Sequence, residues 1–138
     1  VIVFTASESG YADPILDRID PKGELISHRF YRQNCIEMEK NLFVKDLRVF
    51  GQRPLDKTCI VDNALHSYII NLRNGIPIIP FMHERSDDQL LKLADFLMSL
   101  DTEVDIRKSI AAHFSYKEFL GCTDKAQFVE MLKSKVKS

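Results

Sequence analysis

The stretch Val1–Ser7, VIVFTAS, joins a run of apolar, mostly β-branched residues to small hydroxyl residues. This composition predicts a short, fully buried strand that ends at Thr5. The stretch Thr58–Val61, TCIV, has the same character and is followed by Asp62 and Asn63. Because ligands of parallel α/β sheets bind beyond the carboxyl ends of the strands, the polar residues that follow both runs mark the expected site.

Helical periodicity and turn residues divide the rest of the chain into short elements. Helices are predicted at Tyr11–Ile19, Ser86–Leu100, Val104–Phe114 and Lys125–Val136. Strands are predicted at Leu25–Tyr31 and Ile76–Phe81, and a hairpin or loop at Asn34–Phe43 with its bend at Lys40–Asn41. This alternation predicts an α/β fold with a mainly parallel sheet flanked by helices and a small β insertion.

The segment after Ser86 gives the clearest helical pattern. Ser86 is expected to cap the helix, Asp87 and Asp88 to lie in its first turn, and its leucines to face the core. We expect one domain over residues 1–120 and a C-terminal helix or tail over residues 121–138.

Composition excludes several classes of function. The 138 residues carry a net charge of -1, so we expect no direct binding to nucleic acid. No apolar run approaches the roughly 20 residues that span a bilayer, so no membrane segment is expected. The spacing of Cys35, Cys59 and Cys122 matches neither a disulfide framework nor a zinc site, which favours a reducing compartment. Cys35 and Cys59 are expected to be small apolar fillers.

Thr5, Lys45 and Asp62 form a candidate set for phosphate chemistry. A hydroxyl donates a hydrogen bond to a phosphoryl oxygen, and an ammonium offsets the negative charge of the transition state. A carboxylate at a strand end, with the neighbouring Asn63 amide, offers oxygen ligands of the kind Mg²⁺ prefers. All three residue types are common, so the set alone is weak support.

The sequence around these residues resembles that of a known family. The stretches are VFTASESGYADPILDRIDP (Val3–Pro21), FYRQNCIEMEKNLFVKDL (Phe30–Leu47), CIVDN (Cys59–Asn63) and NGIPI (Asn74–Ile78). They resemble the small phosphatases that act on the C-terminal domain of RNA polymerase II, in the haloacid-dehalogenase-like superfamily. The resemblance runs from Val1 to about Phe114, and the order of the motifs makes it specific.

The resemblance implies a role for each matching residue. Thr5 matches the second motif and Lys45 the third-motif lysine, both catalytic, while Asp62 matches the fourth-motif aspartate that binds Mg²⁺, with Asn63 beside it. Two further matches concern the substrate. Tyr11 matches a position that lines the peptide groove, and Arg32 matches an arginine near a second phosphate or an acidic side chain of the substrate.

Each of these residues also has a purely structural interpretation. Thr5 could cap a turn, Lys45 could be a solvated lysine, and Asn63 could be a turn former. Tyr11 could be a half-buried core aromatic, and Arg32 a surface ion-pair partner. Asp62 is the hardest to explain in this way, because a carboxylate that ends a buried strand is costly unless it is paired or metal-bound.

Two departures from the family pattern stand out. The first motif, Asp-x-Asp-x-Thr, which supplies the aspartate nucleophile, does not occur in the 138 residues. We therefore expect the N-terminal strand that carries it to be missing from this chain, through a truncation, an upstream disordered gap or a cut at Val1, rather than because the protein is a natural pseudoenzyme. The second departure is Ala64-Leu65 where relatives usually have Ser-Pro, and the loop around Lys45 also differs in length.

These observations favour a Mg²⁺-dependent protein serine/threonine phosphatase that acts on phosphopeptides such as the RNA polymerase II C-terminal domain. The resemblance implies an aspartyl-phosphate intermediate, with the fragment inactive by itself, and a nuclear or cytoplasmic location, with the nucleus preferred. The alternative is a non-catalytic peptide-binding module like the mitochondrial import receptor that shares this fold. A small-metabolite phosphatase is a third, less favoured interpretation.

Overall fold

The structure is a computed structural model that describes residues 1–39 and 41–114. Short strands and helices alternate along these residues, which confirms the α/β class. The elements are β1 Ile2–Phe4, α1 Ser9–Ile19, β2 His28–Phe30, β3 Ile36–Glu39, β4 Leu42–Val44, β5 Ile60–Asp62, β6 Gly75–Pro77, α2 Gln89–Ser99 and α3 Ile106–His113. The helix predicted at Lys125–Val136, the segment 121–138 and Cys122 lie outside the described residues.

The N-terminal unit consists of β1, α1 and β2. The two strands pair in parallel, with Ile2 opposite His28 and Phe4 opposite Phe30. The predicted full burial of the first strand is wrong, because Val1 is 83% exposed and Ile2–Phe4 are only half-buried. Helix α1 is confirmed, although it begins at Ser9 rather than at Tyr11.

Strand β2 is much shorter than the predicted Leu25–Tyr31. The carboxylate of Asp20, which is buried, accepts hydrogen bonds from the backbone N–H groups of Glu24, Leu25 and Ile26 at 3.0, 3.0 and 2.8 Å. Backbone donors that a side chain engages in this way are not free to extend a strand ladder. The ladder with β1 therefore begins only at His28.

Strands β3 and β4 form the predicted hairpin. They pair antiparallel, with Ile36 opposite Val44, and the register shifts between Glu37 and Glu39. Asn41 adopts a φ of 68°, a left-handed conformation that asparagine tolerates in tight turns. The chain leaves the hairpin at Val44 and enters a 3₁₀ turn at Leu47–Phe50.

Strands β5 and β6 form a second parallel pair, with Ile60 opposite Gly75 and Asp62 opposite Pro77. The predicted strands at Thr58–Val61 and Ile76–Phe81 are therefore displaced, and Asp62 is the last residue of its strand. Gly75 is required here for space, since a Cβ atom at this position would lie 2.0 Å from Cε2 of the buried Tyr68 ring.

Helix α2 differs from the prediction at its start and in its buried face. It begins at Gln89, because the Asp87 N–H bonds to Glu84 and the Asp87 carboxylate accepts the Gln89 N–H at 3.2 Å in a local turn. Ser86 therefore does not cap it, and Asp87 and Asp88 precede its first turn. The predicted apolar face is partly wrong, since Leu90 and Leu91 are exposed. The residues that pack on the core are Leu93, Phe96 and Leu97.

The apolar core surrounds the parallel pair of β5 and β6. One cluster contains Ile76, Leu100, Ile106, Ile110 and Phe114, and the other contains Leu47, Ile60 and Tyr68. The predicted single sheet is not observed within residues 1–39 and 41–114, where the strands form three separate two-stranded pairs. Strands of three or four residues provide few ladder hydrogen bonds. The three pairs are therefore held against one another by side-chain packing rather than by backbone pairing.

Candidate functional site

Thr5 follows β1 and is held by its own turn. Its backbone N–H donates to Phe30 O at 2.9 Å, which continues the parallel ladder for one more residue. Its side-chain Oγ1 accepts the N–H of Ser7 at 3.1 Å, as in a turn closed by a hydroxyl. The hydroxyl oxygen is thereby oriented, and its proton remains available as a donor to a ligand.

Lys45 and Asp62 come together as a largely buried ion pair. Lys45 lies just after β4, and its Nζ contacts Oδ2 of Asp62, with side-chain exposures of 11% and 9%. The backbone N–H of Lys45 donates to Ser67 O at 2.6 Å, which holds the lysine against the 3₁₀ segment Leu65–Asn74 that follows β5. Asp62 Oδ1 accepts the N–H of Ala64 at 2.8 Å, a backbone contact that does not involve the side chain at position 64.

Cys35 lies against the backbone on the Thr5 side of the site. Its Sγ lies 3.8 Å from the carbonyl oxygens of both Thr5 and Tyr31. Burial raises the pKa of the Cys35 thiol, and the positive charges of Lys45 and Arg32 act in the opposite direction. The Cys35 thiol contacts the backbone oxygen of Thr5, whereas the Oγ1 of Thr5 accepts its hydrogen bond within the turn.

An aromatic trio fixes the N-terminal unit against the Lys45 segment. Phe4 precedes Thr5, Phe30 ends β2, and Phe50 ends the 3₁₀ turn that follows Lys45. Their ring centroids are 5.0 to 5.9 Å apart, in tilted and edge-to-face arrangements that aromatic rings favour. Phe50 also packs on the core cluster of Leu47 and Ile60, so it connects the two strand pairs.

The residues predicted to hold Mg²⁺ supply only part of a metal site. Asp62 offers one carboxylate, which Lys45 and Ala64 already contact, and Asn63 is exposed beside it. Within residues 1–39 and 41–114, no group of three His, Cys, Asp or Glu side chains could hold a metal ion. Because Mg²⁺ keeps several waters and often takes one or two carboxylates plus a phosphate, these residues fit a partial shell.

Arg32 lies next to the turn that contains Thr5. Its Nε donates to Ala6 O at 2.8 Å, and its Nη1 donates to Oε1 of Glu8 at 3.1 Å. The guanidinium also covers the Phe43 ring, 5.1 Å from its centroid. The pair with Glu8 agrees with the alternative interpretation of Arg32 as a surface ion-pair partner. The contact with Ala6 also keeps the Arg32 guanidinium next to the Thr5 turn.

Tyr11 is 69% exposed on the first turn of α1, so it is not a core aromatic. Its N–H donates to Glu8 O at 3.1 Å, which places it next to the Glu8–Arg32 pair. The structure therefore brings Lys45 and Asp62 into direct contact and leaves Tyr11 exposed on α1. Thr5 is joined to the Lys45 segment through the ring contact between Phe4 and Phe50.

Two neighbours of this region were not singled out from the sequence. Glu8 gives no signal in the sequence, because an isolated exposed carboxylate has no evident role until the cation that it contacts is known. The sequence predicts only an apolar filler at Cys35, and the spacing of the cysteines does not reveal its contact with the Thr5 backbone. The only signal in the sequence that places Cys35 near the site is its position three residues after Arg32.

No helix in the described part of the chain has the length and apolar character needed to cross a membrane. The thiols of Cys35 and Cys59 are both free.

Comparison with known proteins gives a family match. The family model described as NLI interacting factor-like phosphatase matches residues 1–107. This range contains every residue that the sequence analysis assigned to the site.

Individual relatives are similar over most of this chain. CTD small phosphatase-like protein 3 of Caenorhabditis elegans is 44% identical over 102 residues, which are 74% of this chain and 35% of the relative. CTD small phosphatase-like protein 2 of Dictyostelium discoideum is 38% identical over 120 residues, 87% of this chain and 21% of the relative. The human CTD small phosphatase-like protein is 38% identical over 105 residues, 76% of this chain and 37% of the relative. The chain thus spans well under half the length of these relatives.

Proposed function

Because this chain belongs to the NLI interacting factor-like phosphatase family, we propose that the full-length protein is a Mg²⁺-dependent protein serine/threonine phosphatase. The family is haloacid-dehalogenase-like, in agreement with the α/β architecture. The observation that carries the proposal is the buried Lys45–Asp62 pair, with the Phe4–Phe50 ring contact joining the Lys45 segment to the strand that precedes Thr5. Its substrates are phosphoserine or phosphothreonine peptides, with the RNA polymerase II C-terminal domain as the first candidate.

Each residue of the site has a defined task in this reaction. The Thr5 hydroxyl donates a hydrogen bond to a phosphoryl oxygen, since its own oxygen is already oriented by the Ser7 N–H. Lys45 offsets the negative charge that gathers on the transferring phosphoryl group. Asp62 and Asn63 offer oxygen atoms to Mg²⁺, which when bound neutralises phosphoryl charge.

The nucleophile is the part of the proposal that this chain does not carry. In the family resemblance, an aspartate attacks phosphorus, and water then hydrolyses the aspartyl-phosphate with help from a second aspartate. The Asp-x-Asp-x-Thr motif for these two groups is absent from the 138 residues, so we propose that both belong to another part of the full-length protein.

A nuclear or cytoplasmic location is proposed with this function. The free thiols of Cys35 and Cys59 are consistent with a reducing compartment. The proposed partner is a phosphoprotein, and direct contact with nucleic acid is not part of the proposal.

The test is Asp62→Asn in the full-length protein. Hydrolysis of a phosphoserine peptide is measured with Mg²⁺ in excess and again with a chelator. We expect kcat/KM to fall at least about 10- to 100-fold, because the variant loses a charged oxygen ligand and leaves Lys45 without its counter-charge. The matched control is Asp95→Asn, the same change at an exposed position of α2.

Unchanged activity of the Asp62→Asn protein at saturating Mg²⁺ would contradict the assignment of Asp62. A wild-type protein that binds the phosphopeptide and does not hydrolyse it under any metal condition would instead support the peptide-binding alternative. Circular dichroism of both variants excludes a general loss of folding as the cause.

A further inference from the structure

Arg32 is held in place by three kinds of contact. Its Nε donates to the backbone oxygen of Ala6, its Nη1 donates to Glu8, and its guanidinium lies over the Phe43 ring. The backbone contact and the ring fix the position of the cation without neutralising it. Glu8 is the one acidic side chain that pairs with it in the part of the chain that the structure describes.

The outward side of this guanidinium remains open. A guanidinium carries five N–H donors in a rigid fork, and these contacts engage only part of them. The Arg32 side chain is 44% exposed. The fork is therefore ready to bind a carboxylate or phosphate that arrives from solvent.

Arg32 also lies close enough to the proposed phosphate site to sense a bound peptide. Its backbone N–H donates to Ser7 O at 3.0 Å, directly beside the Thr5 turn. Its Nε donates to the carbonyl oxygen of Ala6, the residue that follows Thr5. An anion next to a phosphoresidue held at Thr5 and Lys45 would thus come within reach of Arg32.

Glu8 is placed to oppose such an anion. Its side chain is 75% exposed, and it precedes α1 at the edge of the Thr5 turn. A second anionic group of a peptide must either displace the Glu8 carboxylate from Arg32 or bind beside it against like-charge repulsion. Glu8 therefore lowers the affinity of Arg32 for anions without removing the cation.

We propose that Glu8 is a specificity-determining residue that selects peptides with a single phosphate and neutral or basic neighbours over peptides with an acidic group or second phosphate beside it. The inference rests on the proposed function, because it assumes that a phosphoresidue binds at Thr5 and Lys45. It concerns the choice among phosphopeptides and not the chemical step.

The experiment measures binding by the full-length protein without turnover. Two fluorescent peptides carry a phosphonate analogue of phosphoserine that cannot be hydrolysed, and they differ only in Glu or Gln as the next residue. Fluorescence anisotropy gives the ratio of the two Kd values for wild type, Glu8→Gln and Glu24→Gln. Glu24 is exposed and makes the same charge change away from Arg32, so it is the matched control.

We expect Glu8→Gln to shift the Kd ratio toward the Glu peptide by about three- to fivefold at low salt, the size expected for one exposed charge pair. Raising the salt concentration should reduce this shift, because exposed charges are screened. Glu24→Gln should leave the ratio at its wild-type value. In an Arg32→Gln background the shift caused by Glu8→Gln should disappear, since no guanidinium remains for Glu8 to pair with.

Three results would overturn the inference. They are an unchanged ratio in Glu8→Gln, an equal shift in Glu24→Gln, or a Glu8→Gln shift that persists without Arg32. Hydrolysis of an ordinary phosphopeptide is measured in parallel. Absent hydrolysis with the expected Kd shift contradicts the proposed function alone, and normal hydrolysis with no Kd shift contradicts the inference alone.

Discussion

The two parallel strand pairs have similar local architecture and are held together by different forces. The pair β5–β6 lies against apolar residues that are almost completely buried, among them Ile76, Ile110 and Tyr68. The pair β1–β2 has half-buried strands, and its helix leaves Tyr11, Ile15 and Ile19 exposed along one side. Ala12 is the only buried residue of that helix.

Polar contacts replace burial in the N-terminal unit. Asp20 accepts three backbone N–H groups, and Arg29 bridges Asp13 and Asp17 on α1 at 2.9 and 2.8 Å. The Tyr31 hydroxyl also donates to Asp13, and this bond with that of Arg29 lowers the pKa of the Asp13 carboxyl. Directional bonds of this kind position the strand without requiring a core around it.

The difference places the proposed site between a more buried and a less buried half. Asp62 ends a strand of the apolar pair, whereas Thr5 and Arg32 belong to the polar unit. Lys45 and the Phe50 ring connect them. Substitutions in the two halves should therefore have different consequences for stability.

The largest expected effect comes from a core deletion. Ile110→Ala should lower the free energy of unfolding by about 2 to 5 kcal/mol, because Ile110 is 0% exposed and its loss leaves a cavity. Ile15→Ala, the same change at a position that is 45% exposed, should cost less than about 1 kcal/mol. Urea unfolding of both full-length variants measures the difference. Equal losses of unfolding free energy in the two variants would contradict the proposed difference in packing between the two units.

A smaller and more local effect is expected from Asp20→Asn. Asparagine has one acceptor oxygen where the carboxylate has two, so the N–H groups of Glu24, Leu25 and Ile26 cannot all keep their partner. We expect faster hydrogen exchange at these amides and at β2, with no change at β5 and β6. Asp17→Asn, an exposed position with one ion pair, is the control. Uniformly faster exchange throughout the chain would show that the two units unfold together.

The smallest effect is a pH dependence at the start of α3. A hydrogen bond from the Arg107 side chain lowers the pKa of Asp105 from 3.8 to about 2, and the Asp105 carboxylate also accepts the Arg107 N–H. A depressed folded-state pKa contributes stability above the unfolded value, and this contribution is lost as pH falls from about 4 to about 2. Asp105→Asn should therefore show a flatter fall in Tm across this window. Thermal unfolding between pH 2 and 5 measures Tm as a function of pH, and Asp101→Asn, the same change at an exposed position, is the control. A slope of Tm against pH in Asp105→Asn equal to that of the wild type would contradict the stabilising role of Asp105.

Several features were predictable because they depend on local sequence. The α/β alternation, the hairpin at Ile36–Val44 and helix α1 follow from periodicity and turn residues, and the family followed from the order of its motifs. Element ends were predicted less well. The start of β2 depends on Asp20, and the start of α2 depends on the turn at Asp87. In both cases a carboxylate competes for backbone donors, which residue propensities do not capture.

The sequence by itself determined which residue types stand at the strand ends, Thr5 after one apolar run and Asp62 at the close of another, and hence the class of chemistry proposed. Only the tertiary structure decided that Lys45 pairs with Asp62 and that Glu8 pairs with Arg32. These pairs join residues 17 and 24 positions apart. Their meeting depends on how the chain packs in three dimensions, which local patterns of hydrophobicity do not specify.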